Sequence, residues 1–263
     1  MLPTAERRGR SRGRLALLWN VFFQVLRATY ARAHSFGAAL GAVIVLGALL
    51  ALVGTWAFVE IADHVRGGRT QEIDEAVLRW IGAHQTPWLD AFMLETTALG
   101  TWVVALTVVG VAALFLHLTR HRYSALLLLV ATSGGIALNS VLKLGFQRPR
   151  PELFAWRTHA ATWSFPSGHA MNATIVYLTV AYLAARLQRT AYARALTLSA
   201  AIVIIILICA SRLYLGVHYP SDVAGGILIG LAWTGFCMAT LEGVQRFAAR
   251  NATDVLQDEA PPP

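Results

Sequence analysis

Six stretches of the chain, 37–62, 99–118, 124–143, 169–186, 194–211 and 222–243, run almost without interruption in apolar residues. About 20 such residues in a helix cross the hydrocarbon core of a bilayer, so the pattern predicts six transmembrane helices. The second, "TWVVALTVVGVAALFLHL", and the fifth, "ALTLSAAIVIIILICA", lie near the short limit. Within the 63–98 connection, "IDEAVLRWI" has helical periodicity, and Thr86-Pro87 reads as an N-cap followed by proline at the first helical position. Both pieces are expected on the membrane surface. Ahead of the first span, an arginine-rich segment leads into Leu15, Leu18, Trp19, Phe22 and Leu26, which share one face of an in-plane amphipathic helix. The acidic, proline-ended "DVLQDEAPPP" reads as disordered. The expected architecture is therefore an all-α polytopic membrane bundle with short interfacial helices. It comprises a basic cytoplasmic arm (1–36), a six-span membrane domain (37–245) and a disordered cytoplasmic tail (246–263).

Composition agrees with the pattern, since 56% of the residues are hydrophobic and only 14% charged, a balance that excludes an ordinary soluble domain. The formal charge of +8 then reports membrane topology and not a nucleic-acid partner. Arginines concentrate at the N-terminus and in the segments that share its side. This predicts both termini in the cytoplasm of a multi-pass protein of the cell (inner) membrane. Cys209 and Cys237 fall inside predicted spans, as small packing residues with no redox or metal role.

Six crossings bring three polar clusters to the extracytoplasmic face: Lys143 and Arg150 after span three, "FPSGH" (165–169) opening span four, and "SRLYLGVHYPSD" (211–222) between spans five and six. Cations are scarce on that face by the positive-inside rule, so a bound anion is the simplest reason for Lys143, Arg150 and Arg212. Lys143 is the only lysine in the chain, a slim point charge among planar arginine forks. Ser167 suits an N-cap and Gly168 removes bulk where the amides of span four point outward, a ready anion site. His169 follows in the first turn. His218 precedes span six by a few residues, and Asp222, four residues on, can fix one ring nitrogen and leave the other free to attack. His64, His84 and His159 lack such company and read as surface residues. Carboxylates are scattered and no H-E-x-x-H pattern occurs, which favours histidine chemistry without metal or other cofactor.

Read together, "KLGFQRPRP", "PSGH" and S-R-x5-H-x3-D resemble the three-part signature of the type-2 phosphatidic acid phosphatase superfamily, a likeness extending from about residue 87 to about 240. The family's spacing from Lys143 selects Arg150-Pro151 over Arg148-Pro149 and leaves Arg148 as an auxiliary contact or surface charge. The resemblance implies that His218 is a nucleophile forming a phosphohistidine, oriented by Asp222, and that His169 is the general acid. It also implies that Lys143, Arg150, Ser167, Gly168 and Arg212 hold the phosphoryl oxygens. Substrates implied are lipid phosphates or diphosphates: undecaprenyl diphosphate, phosphatidic acid or phosphatidylglycerol phosphate. A lipid phosphotransferase and a non-catalytic lipid-phosphate transporter or binding protein are the alternatives.

Overall fold

The computed structural model describes residues 36–158 and 162–258. The amphipathic helix expected over 15–26 lies outside them. Eight helices follow in order among the described residues: α1 (Phe36–Arg66), α2 (Gln71–Ala83), α3 (Pro87–Ala98), α4 (Trp102–Leu118), α5 (Arg122–Phe146), α6 (Gly168–Leu187), α7 (Ala191–Tyr214) and α8 (Pro220–Asp258). Five of them, α1, α5, α6, α7 and α8, are long and apolar enough to cross a bilayer, and the α3–α4 pair, bent by 46°, brings the number to six if it crosses as one broken span. The expected all-helical membrane bundle is thus present, with five to six spans and α2 as a separate short helix.

The bend has a local cause. Thr101 is extended and its side chain accepts from the Val104 amide at 3.5 Å, which starts α4 afresh. The carbonyl of Leu99, orphaned at the end of α3, accepts from Tyr177 Oη at 2.7 Å. Gly100 sits in the break, where a Cβ would come within 2.6 Å of Ile208 Cγ2 and 2.9 Å of His169 Cδ2. The second span expected from the sequence covers only the longer arm of this element. Its shorter arm, α3, begins at the predicted Thr86 cap with Pro87 at the first helical position.

α6 packs between α5, α7 and α8, and α1 runs along α8. The apolar interior is built from α1, α4, α5, α6 and α8, with Phe58, Leu128, Phe165, Met171 and Ile175 among its buried members. In a bilayer, where burial of apolar surface does not drive helices together, small residues allow the close approach that dispersion requires. At Gly47 a Cβ would lie 2.6 Å from Gly235 O, and at Gly226 a Cβ would lie 2.6 Å from Ser167 O. The second contact presses the start of α6 against the start of α8. α8 continues to Asp258, so the stretch after 245 begins as helix where the sequence suggests a disordered tail. No glycine or proline interrupts it between Gly243 and Pro261, which gives the helix no reason to stop at the membrane edge.

Candidate active site

The last turns of α5 and α7 and the first turns of α6 and α8 meet at one end of the bundle, together with the loops 147–167 and 215–219. All eight residues singled out by the sequence stand here.

His218 is 2% exposed. Its Nδ1 lies 3.5 Å from Asp222 Oδ2 and its Nε2 lies 3.1 Å from Arg150 Nη1. Burial, helped by Arg150 and Arg212 and opposed by Asp222, pushes the imidazole down to about 3, so the ring is neutral at neutral pH. Asp222 is fully buried and its two oxygens have separate duties. Oδ2 accepts from the Tyr219 amide at 2.8 Å and from the Ser164 hydroxyl, and Oδ1 accepts from Arg148 Nη1 at 2.7 Å.

Arg148 is not a surface charge. It is 9% exposed and bridges Asp222 to α2, donating from Nη2 to Asp74 Oδ2 at 2.8 Å and to Gln71 Oε1 at 3.2 Å. Its guanidinium also lies over the Tyr219 ring, 4.2 Å from the centroid. Burial acts against its charge, but Asp222 and Asp74 outweigh that and hold it firmly protonated. Asp74 in turn accepts from the Ser221 amide at 2.9 Å and the Ser221 hydroxyl at 2.5 Å.

The three remaining cations have no such compensation. Among the described residues no carboxylate lies within 4.0 Å of Lys143, Arg150 or Arg212. Lys143 Nζ donates to Trp163 O at 2.5 Å and Thr162 Oγ1 at 3.1 Å. Arg150 donates to Val217 O at 2.6 Å, Thr162 O at 2.7 Å and Trp163 O at 3.3 Å. Arg212 is 3% exposed and held by Thr97 Oγ1 at 2.7 Å, while its Nε is buried with no partner among the described residues. An orphaned buried donor is costly unless something binds it. His169 is half-buried on α6, within electrostatic reach of Arg212, His218, Lys143 and Arg150.

Ser167 caps α6, its hydroxyl accepting from the Ala170 amide at 3.5 Å and its carbonyl from Met171 at 3.0 Å. The amides of Gly168 and His169 precede these and face the open end of the helix. A Cβ at Gly168 would stand 3.1 Å from Asn139 Oδ1, a tight approach, and 3.7 Å from Lys143 Cε, an ordinary contact, so the missing side chain spares Asn139 on the facing helix. Beside Arg150, a cavity of about 420 Å³ opens between Glu152, Trp156 and Trp163. The whole arrangement is positive, largely dry and lined with donors, which suits a multiply charged tetrahedral anion.

Residues 122–246 match the PAP2 superfamily, and the chain belongs to that superfamily as a membrane-embedded phosphatase. Phosphatidylglycerophosphatase B of Bacillus subtilis is 35% identical over 193 residues, which span 72% of this chain and 94% of that protein. An undecaprenyl-diphosphatase of Sulfolobus acidocaldarius is 32% identical over 139 residues, covering 51% of this chain and 63% of that one. The crystal structure of a transmembrane PAP2-type phosphatidylglycerolphosphate phosphatase from Bacillus subtilis superimposes with a TM-score of 0.72 at 32% identity, over 76% of this chain and 99% of the other. The family resemblance carried by the three sequence motifs is therefore a true membership.

Asp74, Thr97, Ser164 and Ser221 belong to the site and escape sequence reasoning. Each acts through a partner that is 50 or more residues away in sequence, and only Ser221 lies within a motif read from the sequence, where nothing marked it apart from its neighbour Asp222.

Proposed function

We propose that the protein hydrolyses a lipid phosphate or diphosphate through a phosphohistidine on His218. The observation that carries this reading is the two-sided environment of the ring: Nδ1 toward Asp222, Nε2 toward the cations, and burial that keeps the ring neutral. Nε2 attacks phosphorus while the ester oxygen departs with a proton from His169. Water, deprotonated by the same His169, then attacks the phosphohistidine and releases inorganic phosphate. Asp222 stabilises the imidazolium character that grows on His218 in the first step.

Lys143, Arg150, Arg212 and the Gly168 amide hold the phosphoryl oxygens, with Ser167 fixing the helix start that presents that amide. Arg150 now rests against Nε2 and the Trp163 carbonyl, so an incoming phosphoryl group takes over donors that the loop holds in its absence. The cavity beside Arg150 gives room for that exchange. Burial lowers the affinity of the Arg150 guanidinium for its proton, so a dianion there relieves a desolvated charge.

The phosphatidylglycerophosphatase and undecaprenyl-diphosphatase relatives favour phosphatidylglycerol phosphate and undecaprenyl diphosphate as substrates, and phosphatidic acid shares the same headgroup chemistry. Arginine distribution supports cytoplasmic termini, which puts the site at the extracytoplasmic edge of the inner membrane. The test is phosphate release by the purified protein from a panel of these lipids in ¹⁸O-labelled water, with and without chelator. Label in the released phosphate, chelator resistance and loss of release in His218→Ala are expected. Transfer of the phosphoryl group to an alcohol without labelled phosphate identifies a phosphotransferase, and lipid movement undiminished in His218→Ala identifies a transporter.

A further inference from the structure

The end of the bundle opposite the site carries a second concentration of positive charge. There the turn between α4 and α5 meets the last turn of α6 and the flank of α8 around a cavity of about 280 Å³, lined by Arg120, His121, Arg122, Arg186 and Gln245. Arg186 is held by Glu242 at 2.6 Å and by Gln245 at 3.1 Å. Arg120 and Arg122 are exposed, and no carboxylate lies within 4.0 Å of either among the described residues. α5 starts in the same cavity, and the His121 side chain does not cap it. Its first amides therefore add partial positive charge to that of the arginines.

Two independent features set this place apart from the ordinary arginine belt of a membrane protein. The first is backbone conformation. The turn closes with His121 N–H to Leu116 O at 2.8 Å and Arg120 N–H to His117 O at 3.1 Å, a Schellman pattern whose left-handed position is normally glycine. Arg120 occupies it with φ +66, a conformation that costs any side chain. Glycine would satisfy the turn with less strain, and the residue that stands there instead brings a guanidinium to the cavity wall. The second is continuity with an apolar groove. Leu116, Leu183 and Leu187 line both the basic cavity and an adjoining cavity of about 520 Å³, which runs along Val111, Phe115 and Val180 between α4 and α6.

We infer that this basic cavity and its apolar groove form a binding site for one anionic phospholipid of the leaflet opposite the catalytic end. The phosphate sits between Arg120, Arg122 and the first amides of α5, and an acyl chain lies in the groove between α4 and α6. A lipid has both parts joined in this order, whereas free phosphate satisfies only the first and a neutral lipid only the second. Arg186, already neutralised by Glu242, shapes the wall and leaves the charge to the other two arginines. The inference is independent of the catalytic proposal, because no residue is shared between the two ends.

Native mass spectrometry of the full chain in neutral detergent tests it, with diacyl phosphatidylglycerol, diacyl phosphatidylcholine and glycerophosphoglycerol as probes. Expected is one tightly held phosphatidylglycerol per chain, bound about tenfold or more tighter than phosphatidylcholine. The chain-free headgroup should not compete. R120G combined with R122Q should remove that preference, and R212Q, at the catalytic end, should retain it. Because glycine relieves the turn, R120G alone should melt at or above the wild-type temperature without lipid, which separates loss of binding from loss of fold. Preference unchanged in the double variant, preference abolished by R212Q, full competition by glycerophosphoglycerol, or graded uptake of many lipids with no single tight one would each overturn the inference.

Discussion

Arg148 Nη1 and Asp222 Oδ1 stand 2.7 Å apart, in a pair that water hardly reaches and that extends through the other arm of the guanidinium to Asp74 on α2. The carboxylate that faces His218 is thereby fixed from outside the family signature. Removing one member of a buried pair leaves an uncompensated charge and typically costs about 3–5 kcal/mol. R148A is expected to lose stability in that range and to lower kcat more than KM. D74N keeps the Arg148 to Asp222 contact and should cost less, about 1–3 kcal/mol. Thermal melts with steady-state kinetics check both. Equal effects from the two single variants, or additivity in the double one, would contradict a shared network.

Acid should unfold this protein partly through His218. The group is held near 3 when folded and returns to an ordinary histidine value near 6.5 when unfolded, so the unfolded chain binds an extra proton between those limits. Its contribution to stability is present above about pH 6.5 and fades as pH falls toward 3. Melting temperature measured across this window should decline less steeply for H218Q than for the wild type. Parallel curves would mean that the ring is not held neutral.

D222N should fold and bind substrate yet turn over about 10²- to 10⁴-fold more slowly, since the amide no longer stabilises the imidazolium. Kinetics on a lipid phosphate with a visible phosphate readout distinguish this from a binding defect, which would raise KM instead.

Lys143 lies in a slot bounded by Gly168, Thr162 and the Trp163 carbonyl. K143R preserves charge but adds a planar fork to that slot, and kcat/KM is expected to fall about tenfold or more. Wild-type activity in K143R would show that charge alone is needed there.

Two glycines of α8 make a paired test of packing. A Cβ at Gly226 meets Ser167 O at 2.6 Å, so G226A should destabilise by about 1–3 kcal/mol and lower activity by moving the start of α6. At Gly243 nothing among the described residues lies within 4 Å, and G243A should be neutral or stabilise by about 0.5–1 kcal/mol through helix propensity. Melting curves of the two variants should diverge in sign.

Local spacing made much of the site legible. His218 and Asp222 are one helical turn apart in sequence and at 3.5 Å in space, and the Ser167 cap follows from "PSGH" without knowledge of the rest. Hydrophobic runs located the spans because a bilayer imposes a length that few other environments do. What escaped is what depends on tertiary approach. Nothing near "IDEAVLRW" announces that Asp74 will meet Arg148, and Thr97 gives no hint that Arg212 will reach it. Arg148 itself reads as a spare charge until the fold shows two carboxylates waiting for it. The bend between α3 and α4 starts from the local Thr101 cap, but the groups that accommodate it, Tyr177 on the Leu99 carbonyl and Ile208 and His169 against Gly100, come from other helices and leave no trace in the local sequence.

The anchoring of Arg148 to Asp74, and of Arg212 to Thr97, has a practical corollary for anyone trimming the molecule. The stretch that defines the superfamily, 122–246, holds every motif residue but neither of these two partners. A fragment cut to that stretch would retain His218 and Asp222 while depriving Arg148 of one of its two carboxylates and Arg212 of its Thr97 contact inside a dry bundle. The smallest autonomous catalyst therefore has to begin upstream of α2, well before the first residue of the signature.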